Sequence, residues 1–437
     1  MKENFIYNKG ELLYEGKTKR IWQAIGYPDC AIMENKPDTT AFNNPEYTKI
    51  IQGKDVACTT VTSRIFELLQ QIGIPVAFQQ QLSATEMLVD RVDMVLLECI
   101  ARRIAMGSYV KRQPWENKSP YQRFHRLVTE YFLKTTKGKL EFKGKIAVDG
   151  LATEEDDPII INPFEENWQL FHPGLPQFHP DANLNRTIRR TDAILPGIHI
   201  KELDEILRKT FLFLEGLFNI FGLRFADYKI EFGVTRDGRL VIADVIDPDS
   251  WRMNTWNWTA FDKQSFRDGL DPKEVGKRYD VIARMAEFFR IPRQAMVIWK
   301  ASESDSFDLP KKLPAGVELL QIVGSGHKKT HWCLNQLENI QRDFPDGGTI
   351  IMKVGRSNGA GPTVAAHTIW PVLTVAADWK EKPQNIWSSL DMPSQNPHSV
   401  YLYDANAVQA ALGILAQKNP AVYMELQYAM EELDPGY

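Results

Sequence analysis

Acidic and basic side chains that could bind a metal ion and a nucleotide cluster in the segment FADYKIEFGVTRDGRLVIADVIDPDSWR, residues 225–252. Asp237-Gly238 stands between two runs of alternating apolar residues, a pattern typical of a two-residue β-turn. In that register Glu231 would lie directly opposite Asp244. Facing carboxylates repel each other, and a bound Mg²⁺ that also takes nucleotide phosphate oxygens would remove the repulsion. The alternative is a solvated polar face on which Lys229 neutralises both acids.

Basic residues suited to phosphate groups occur at three other places. LYEGKTKRIW, residues 13–22, predicts a strand on which Lys17 and Lys19 share one face and could lie along a triphosphate, although lysine pairs are also common on exposed edge strands. ARRIAMGSYVKR, residues 101–112, suits a phosphate monoester or forms a basic surface loop. The candidates in this segment and in DKQSFRD, residues 262–268, are Arg102, Arg103, Ser108, Lys111, Arg112, Lys263 and Arg267.

The elements that must position these residues differ along the chain. The first 268 residues mix short strands with long polar loops, and apolar spacing predicts one helix from His199 to Phe221. Residues 134–199 are rich in proline and predict an extended surface excursion. Residues 271–290 predict a connecting helix. From Pro292 onward, short apolar runs end in Gly/Ser-rich turns, which favours a parallel sheet covered by helices.

Bulk properties narrow the class of protein. A length of 437 residues predicts two domains, and a net charge of −4 does not indicate a nucleic-acid partner. The four cysteines are scattered without a CxxC pair, which favours a reducing compartment. No long uncharged apolar stretch occurs, so neither a membrane span nor a signal peptide is predicted. The expected location is the cytoplasm.

Taken in order, these segments resemble the bifunctional purine-biosynthesis enzymes of animals, which join SAICAR synthetase (phosphoribosylaminoimidazole-succinocarboxamide synthase) to AIR (phosphoribosylaminoimidazole) carboxylase. The matching motifs are YEGKTK at 14–19, RRIAMGSYVKR at 102–112, KIEFG at 229–233, ADVIDPDSWR at 243–252, DKQSFRD at 262–268, GRSNGAGP at 355–362 and IWSSL at 386–390. The resemblance implies an α+β ATP-dependent ligase domain at 1–268, a linker helix at 269–292 and a flavodoxin-like three-layer α/β domain with a parallel sheet at 293–437.

For the first domain, the resemblance implies ligation of aspartate to carboxyaminoimidazole ribotide with ATP and Mg²⁺. The ATP γ-phosphoryl group would pass to the imidazole carboxylate before the aspartate amine attacks. The implied nucleotide contacts are Lys17, Lys19, Glu98, Lys229, Glu231 and Asp244, with Glu231 and Asp244 as metal ligands. The implied substrate contacts are Arg102, Ser108, Arg112 and Arg252. The implied reacting centre contains Asp227, Lys229, Asp249, Arg252, Lys263 and Arg267.

For the second domain, the resemblance implies ATP-independent carboxylation of aminoimidazole ribotide by CO₂. The implied substrate contacts are Ser302, Ser304, Asp305, Ser325, His327, Lys328, Gly355, Arg356, Ser357, Asn358 and Gly359. The chain departs from the family pattern at Ala301, where the family has glycine, and an alanine that needed a positive φ there would be strained. Gly326 stands where the family has alanine. Pro310 is expected to cap or break the helix that follows Asp305.

The resemblance also implies a homo-octamer assembled through the second domain, with small-molecule partners and neither nucleic acid nor membrane. Two alternatives remain. The chain could be a divergent paralogue that keeps the ligase chemistry but uses another amine or acid and has a weak or inactive carboxylase. It could also be a non-catalytic nucleotide-binding scaffold, but Lys17, Glu231 and Asp244 argue against this because a scaffold does not need a pair of metal-binding carboxylates.

Overall fold

A computed structural model describes residues 7–40, 48–113, 121–267, 269–355, 357–392, 394–397 and 399–433. The chain divides into two compact units, one made of Met1–Phe289 with Glu431–Tyr437 and one of Arg290–Met430. All four cysteines are free thiols. In these ranges no helix combines the length and the apolar character that crossing a bilayer requires.

The first unit is built mainly from antiparallel strands. Its elements are β1 Lys9–Glu15, β2 Lys19–Ala24, β3 Cys30–Asn35, β4 Asp38–Thr40, β5 Thr48–Ile50, α1 Lys54–Gln71, β6 Phe78–Gln81, β7 Glu86–Asp90, β8 Val92–Ile104, α2 Ser108–Arg112, β9 Arg123–Leu133, β10 Leu140–Phe142, β11 Lys145–Val148, β12 Ile159–Ile160, β13 Asn167–Phe171, β14 Asn183–Arg189, α3 Ile200–Ile220, β15 Arg224–Thr235, β16 Leu240–Ile242, β17 Trp251–Asn254, α4 Gln264–Arg267 and α5 Pro272–Ala286.

Two larger sheets organise this unit. One has the order β1-β2-β3-β7-β6, and the other runs β14-β13-β12-β9-β8-β15-β16, with β17 also paired to β15. The predicted helix at 199–221 is α3, whose apolar face packs under β15, and the Tyr228 hydroxyl donates to the Leu207 carbonyl. Alternation along β15 buries Ile230 and Phe232 on the α3 side and leaves Asp227 and Lys229 on the other.

The carboxylate hairpin has a different turn from the predicted one. Gly233 pairs with Val241, and the loop between the strands contains three residues, 236–238, with Gly238 at a φ of 86°. This is a three-residue connection with glycine in the left-handed position, so the two-residue turn was wrong. The extra loop residue shifts the register by one, and Glu231 accepts from the Ala243 amide rather than facing Asp244.

The strand predicted across LYEGKTKRIW is interrupted. β1 ends at Glu15 and β2 begins at Lys19, so Lys17 lies in the connecting turn instead of beside Lys19 on one strand face. The Gly16 amide donates to the Lys19 carbonyl, which closes the turn. Both lysines still lie at the same end of the hairpin because the turn is short.

Residues 134–199 form regular structure rather than an extended excursion. β12, β13 and β14 add to the edge of the eight-stranded sheet, and β10 pairs with β11 in a small hairpin. Sequence reasoning missed these strands because they are short and the prolines lie in the connections between them. The first part of the segment, which contains the β10–β11 hairpin, is closed where the Thr135 amide donates to Asp157 Oδ1 at 2.9 Å.

Helix α5 belongs to the first unit. Asp271 caps its start by accepting from the Lys273 amide at 2.8 Å, and Pro272 occupies its first turn, which favours helix initiation there. Its inward side chains Val275 and Tyr279 pack with Ala57 and Cys58 of α1. Burial of these apolar side chains stabilises the packing of α5 against α1.

A buried ion network in the first unit includes a residue near the C-terminus. Glu431, which is 1% exposed, accepts from Arg103 at 2.6 Å, from Arg208 at 3.2 Å and from the Leu127 amide at 3.1 Å. Arg103 also makes a two-point pair with Glu215, at 2.9 and 3.1 Å. Arg208 also forms a close ion pair with Glu432. The guanidinium groups of Arg103 and Arg208 are almost completely buried, and these three carboxylates compensate their charges.

The second unit has a parallel sheet with the order β19-β18-β20-β21-β22, the arrangement of flavodoxin-like folds. The prediction of a parallel sheet covered by helices is confirmed. Its elements are β18 Gln294–Lys300, β19 Val317–Val323, α6 Thr330–Asp343, β20 Gly348–Val354, α7 Ala360–Ala365, β21 Val372–Ala376, α8 Gln384–Leu390, β22 Ser399–Tyr401, α9 Asp404–Leu415 and α10 Pro420–Leu433, whose last residues belong to the first unit.

The connection between β18 and β19 contains no helix. Residues 305–316 run as an irregular segment that includes Pro310, as expected for a residue that breaks helices. Ala301 does not have a positive φ, so the strain considered for an alanine at that position does not arise. The Asp308 amide donates to Asp404 at 2.9 Å, and Asp404 also pairs with Lys353 at 2.6 Å, which ties the irregular segment to the sheet.

Candidate active site

A cleft of about 640 Å³ opens in the first unit beside β8 and β15. It brings together residues that lie as far apart in the sequence as the β1–β2 turn and the segment after β17. Of the residues predicted for the ligase site, the lining contains Lys17, Lys19, Glu98, Arg102, Ser108, Asp227, Lys229, Asp244, Asp249, Arg252 and Lys263.

One part of the cleft pairs lysines with carboxylates. Lys19 forms a close ion pair with Asp244, and Lys229 Nζ lies 2.7 Å from Glu98 Oε1. Burial opposes the charge of Asp244, but Lys19 beside it holds the pKa of the carboxyl below its usual value. Burial likewise opposes the charge of Lys229, whereas Glu98 and Glu231 keep its pKa raised. The cations and carboxylates of this region therefore keep each other charged.

Glu231 lies next to this cluster, although it does not line the cleft itself. Its carboxylate contacts Lys134 at 2.7 Å and Lys229 at 3.7 Å, and burial together with Asp244 raises its pKa. A divalent cation between Glu231 and Asp244 would remove that mutual repulsion. No group of three or more metal-binding side chains occurs in the described parts of the chain, so an ion here would need phosphate oxygens as further ligands, as Mg²⁺ usually does.

A second part of the cleft is centred on Asp227. Arg252 Nη1 donates to Asp227 Oδ2 at 2.7 Å, and Arg102 donates to the same oxygen. Gly107, at a φ of 59°, gives Arg252 room, because a Cβ there would lie 2.3 Å from the guanidinium. Two arginines held by one carboxylate form a preorganised site for an anionic group.

Arg112 lies outside the cleft lining but is connected to it through Glu130. This buried glutamate accepts from Arg102 Nε at 2.7 Å and also pairs with Arg112. Burial opposes ionisation of Glu130, while Arg102 and Arg112 hold its pKa below the usual value. Arg112 therefore orients Arg102 through a shared carboxylate instead of facing the cleft.

The third part of the cleft surrounds Asp249. Lys54 lies 2.7 Å and Lys263 lies 3.7 Å from its Oδ2 atom. Burial opposes ionisation of Asp249, but Lys54 and Lys263 hold its pKa well below its usual value. Asp247 behaves oppositely, since burial and the charge of Asp249 raise its pKa to about 6. The backbone of Arg267 lies in α4, and its side chain lies outside the described residues.

Sequence reasoning did not select several lining residues, among them Asn35, Lys36, Lys54 and Asp157. Lys54 carried a usable signal, because it begins helix α1, whose inward positions are otherwise small or apolar. It is 2% exposed, and a lysine is rarely buried so completely without a paired acid. Asn35 and Lys36 at the end of β3 carried no such signal.

In the second unit, the predicted contacts follow β18, β19 and β20, which are neighbours in the sheet, so they meet at its carboxyl edge. Ser302 Oγ and Ser304 Oγ are 2.9 Å apart, and Asp305 accepts from the Ser302 amide at 2.9 Å. Burial and Asp378 raise the pKa of Asp305. The Lys329 amide donates to the Ser325 carbonyl, which leads from the β19 turn into α6.

His327 Nε2 lies 3.1 Å from Ser357 Oγ, and its ring packs on Gly359. Asn358 is buried and accepts from the Gly361 amide at 2.8 Å. The Gly355 carbonyl accepts from Ser388 Oγ at 3.2 Å. Lys328 is exposed, and Arg356 lies outside the described residues.

Gly326 shows why this chain departs from the family's alanine. A Cβ at that position would lie 2.5 Å from the backbone of Ala360. Backbone cannot move aside as a flexible side chain can, so the approach of the 324–328 turn to α7 requires glycine. The departure is therefore compensated locally, and His327 keeps its contact with the β20 turn.

The fold and the cleft define a class: a two-unit enzyme with an α+β ligase unit followed by a flavodoxin-like α/β unit. A family model described as SAICAR synthetase matches residues 12–155 and 176–284, and one described as AIR carboxylase matches residues 306–434. The chain therefore belongs to the SAICAR synthetase family, in the bifunctional group that continues into an AIR carboxylase domain.

Two relatives that match nearly the full chain have names that agree with this family assignment. A Caenorhabditis elegans protein named "Probable multifunctional protein ADE2" is 32% identical over 434 residues, which cover 94% of this chain and 92% of that protein. A Rattus norvegicus protein named "Bifunctional phosphoribosylaminoimidazole carboxylase/phosphoribosylaminoimidazole succinocarboxamide synthetase" is 29% identical over 97% of this chain and 94% of its own length. A solved structure, "SAICAR synthetase (Type-2) in complex with ADP", is 25% identical with a TM-score of 0.47, covering 62% of this chain and 97% of that one.

Proposed function

We propose that this chain is a bifunctional enzyme of purine biosynthesis. Its first unit would ligate aspartate to carboxyaminoimidazole ribotide with ATP, and its second would carboxylate aminoimidazole ribotide without ATP. The observation that carries the first activity is the convergence of Lys19, Lys229 and the Asp244 carboxylate in one cleft, with the Glu231 carboxylate directly beside them. Lysines that neutralise phosphates and a pair of acids that can share a cation are what phosphoryl transfer from ATP needs.

In this proposal the nucleotide lies along Lys17, Lys19 and Lys229, whose ammonium groups neutralise its phosphates. Mg²⁺, held by Glu231 and Asp244, would supply further charge neutralisation at the transferred phosphoryl group. As phosphate oxygens approach, Lys19 and Lys229 exchange their present carboxylate partners for the nucleotide. Little energy is lost because one ionic contact replaces another.

The imidazole ribotide would occupy the part of the cleft around Asp227. Arg102 and Ser108 grip its phosphate, while Asp227 holds the guanidinium groups of Arg102 and Arg252 in fixed directions. Asp249 and Lys263 face the place where the activated carboxyl meets the amine. The ionised Asp249 orients Lys263, and this positioning rather than a covalent nucleophile would lower the barrier.

For the second activity, the proposed substrate contacts are the turns that follow β18, β19 and β20. The Ser302–Ser304 pair and the backbone around Asp305 would bind the phosphate, while His327 and Lys328 would face the imidazole ring. The contact of His327 with Ser357 supports this arrangement, because it joins two of the three turns.

We also propose a cytoplasmic location and assembly into a homo-octamer through the second unit. Free thiols at all four cysteines support a reducing compartment. Light scattering of the intact protein would measure the size of the assembly, and a monomer at micromolar concentration would contradict it.

The decisive experiment supplies the intact protein with ATP, Mg²⁺, carboxyaminoimidazole ribotide and aspartate, and follows ADP and the product by mass spectrometry. Stoichiometric ADP and succinocarboxamide product are expected. ADP release with another amine, but none with aspartate, would favour the paralogue that has changed its substrate. ATP binding without turnover of any amine would favour the scaffold. Carboxylation is followed separately, from labelled bicarbonate and aminoimidazole ribotide without ATP.

A further inference from the structure

Two consecutive side chains of helix α5, Arg278 and Tyr279, contact residues at or beside the reacting centre. The Tyr279 hydroxyl donates to Asp249 Oδ1. Arg278 Nη1 donates to the Ala260 carbonyl and to Ser265 Oγ, both at 2.6 Å. Ala260 and Ser265 lie on either side of Lys263 in the chain. One turn of helix therefore contacts Asp249 directly, and it also contacts one residue before Lys263 and one residue after it.

The two oxygens of Asp249 have different partners. Oδ1 accepts from Tyr279, while Oδ2 faces both Lys54 at 2.7 Å and Lys263 at 3.7 Å. Without a donor on Oδ1, the carboxylate could rotate about its terminal torsion, which is a soft one. The tyrosine hydroxyl removes that freedom and reserves Oδ2 for the two lysines.

Close packing around the Tyr279 ring fixes the position of its hydroxyl group. Tyr279 is 1% exposed and packs with Val275, Ile51 and Ala57. Because side chains in a close-packed core have little rotamer freedom, the ring cannot swing away from Asp249. Packing alone would accept phenylalanine here, so the hydroxyl is explained by its contact with the carboxylate.

We propose that α5 is part of the active-site scaffold and that Tyr279 is a positioning residue for ligation, which sets the orientation of Asp249 toward Lys54 and Lys263. This inference rests on the proposed function of the cleft. Arg278 acts in the same way on the other partner, since it fixes the 260–265 segment. The helix therefore determines the separation between Asp249 and Lys263.

The test compares Tyr279→Phe with Tyr131→Phe. Tyr131 is also 1% exposed, and its hydroxyl donates to a carboxylate, Asp204, at 2.7 Å. Asp204 does not line the cleft, whereas Asp249 does. Both changes delete one buried hydroxyl, so both should lower the melting temperature by similar amounts. In Tyr279→Phe we expect kcat for ligation to fall about tenfold, while KM for ATP stays within about twofold. Tyr131→Phe should ligate at close to the wild-type rate.

Crystal structures of both variants provide a readout that does not depend on activity. The inference expects the Asp249 carboxylate in Tyr279→Phe to rotate and lose its contact with Lys54 or Lys263. A carboxylate that stays in place would overturn the inference whatever the rate, and so would equal kcat values for the two variants. If the wild-type protein does not ligate at all, the proposed function fails, and the crystal structures alone decide whether Tyr279 orients Asp249.

Discussion

Burial and neighbouring charges shift the pKa values of adjacent carboxylates in and beside the cleft in opposite directions. Asp249 is paired with lysines and its pKa is lowered, whereas burial beside that charge raises the pKa of Asp247 to about 6. Glu231 and Asp244 differ in the same sense, because Lys19 lies against Asp244. Such separation of paired acids is common where a site must hold charge and protons in fixed places.

Glu231 is the residue on which the metal assignment depends. Glu231→Gln removes one of the two negative charges proposed to hold Mg²⁺, so ligation should fall by about two orders of magnitude and need more Mg²⁺. The control is Asp237→Asn, which deletes an exposed carboxylate at the tip of the same hairpin. ADP release titrated with Mg²⁺ is the measurement. The same Mg²⁺ dependence in Glu231→Gln and the wild type would defeat the assignment.

The raised pKa of Asp262 predicts that the unfolding free energy of the protein changes with pH. Burial raises its pKa to about 7, although the Met253 and Gln264 amides donate to it. Between roughly pH 4 and 7 the folded chain therefore holds a proton that the unfolded chain has lost. This contribution to stability is complete below about pH 4 and is lost as pH rises through 7.

Asp262→Asn cannot titrate, so it should remove that decline. The difference in unfolding free energy between variant and wild type should shift in favour of the variant from about pH 5 to pH 8. Urea unfolding at several pH values measures it. A difference that stays constant across this range would contradict the raised pKa.

At the level of single residues, the sequence was most informative where a motif was continuous. Lys19, Arg102, Asp227 and Asp249 were all selected from such motifs, and all of them line the cleft. The sequence was least informative for residues that reach the cleft only because two helices pack against each other. Lys54 reaches Asp249 because α1 packs against α5, and spacing along the chain contains no trace of that contact.

Among the elements, one loop residue decided the geometry of the hairpin. An Asp-Gly pair fits either a two-residue turn or the end of a three-residue loop with glycine in the left-handed position, and local sequence does not separate the two. The structure contains the second, which moves the partner of Glu231 from Asp244 to Ala243. The two carboxylates nevertheless stay close enough to repel each other, because Asp244 directly follows Ala243.

Gly238 should therefore be sensitive to substitution by backbone conformation alone. A Cβ added there meets nothing within 4 Å, but φ is 86°. Gly238→Ala should lower the unfolding free energy of the first unit by about 1 kcal/mol. Gly413→Ala is the contrast, since it adds the same methyl group to open space within helix α9 and should stabilise the second unit slightly. Calorimetry measures both, and a neutral Gly238→Ala would contradict the left-handed turn.

For the whole molecule, the parallel sheet of the second unit could be predicted from its short apolar runs, which end in Gly/Ser-rich turns. The α+β fold of the first unit was implied by the resemblance of its motifs to a known family. The strands within 134–199 could not, since β12 has only two residues and gains its partners from β9 and β13. Long-range pairing of this kind depends on the rest of the sheet and leaves no periodic pattern of its own.

Glu431 lies in the segment matched by the AIR carboxylase model, but its carboxylate compensates buried charges in the ligase unit. The ligase unit therefore depends on a residue outside its own family segment. In a fragment ending at Phe289, Arg103 and Arg208 would remain buried but would lack the Glu431 carboxylate that pairs with both of them. Glu431→Gln in the intact chain should accordingly lower the unfolding free energy of the first unit by about 3 kcal/mol. Glu432→Gln, in which the altered side chain is 47% exposed, should cost less than about 1 kcal/mol. Chemical unfolding of the two variants measures this difference. Equal stabilities would mean that the ligase unit does not depend on Glu431.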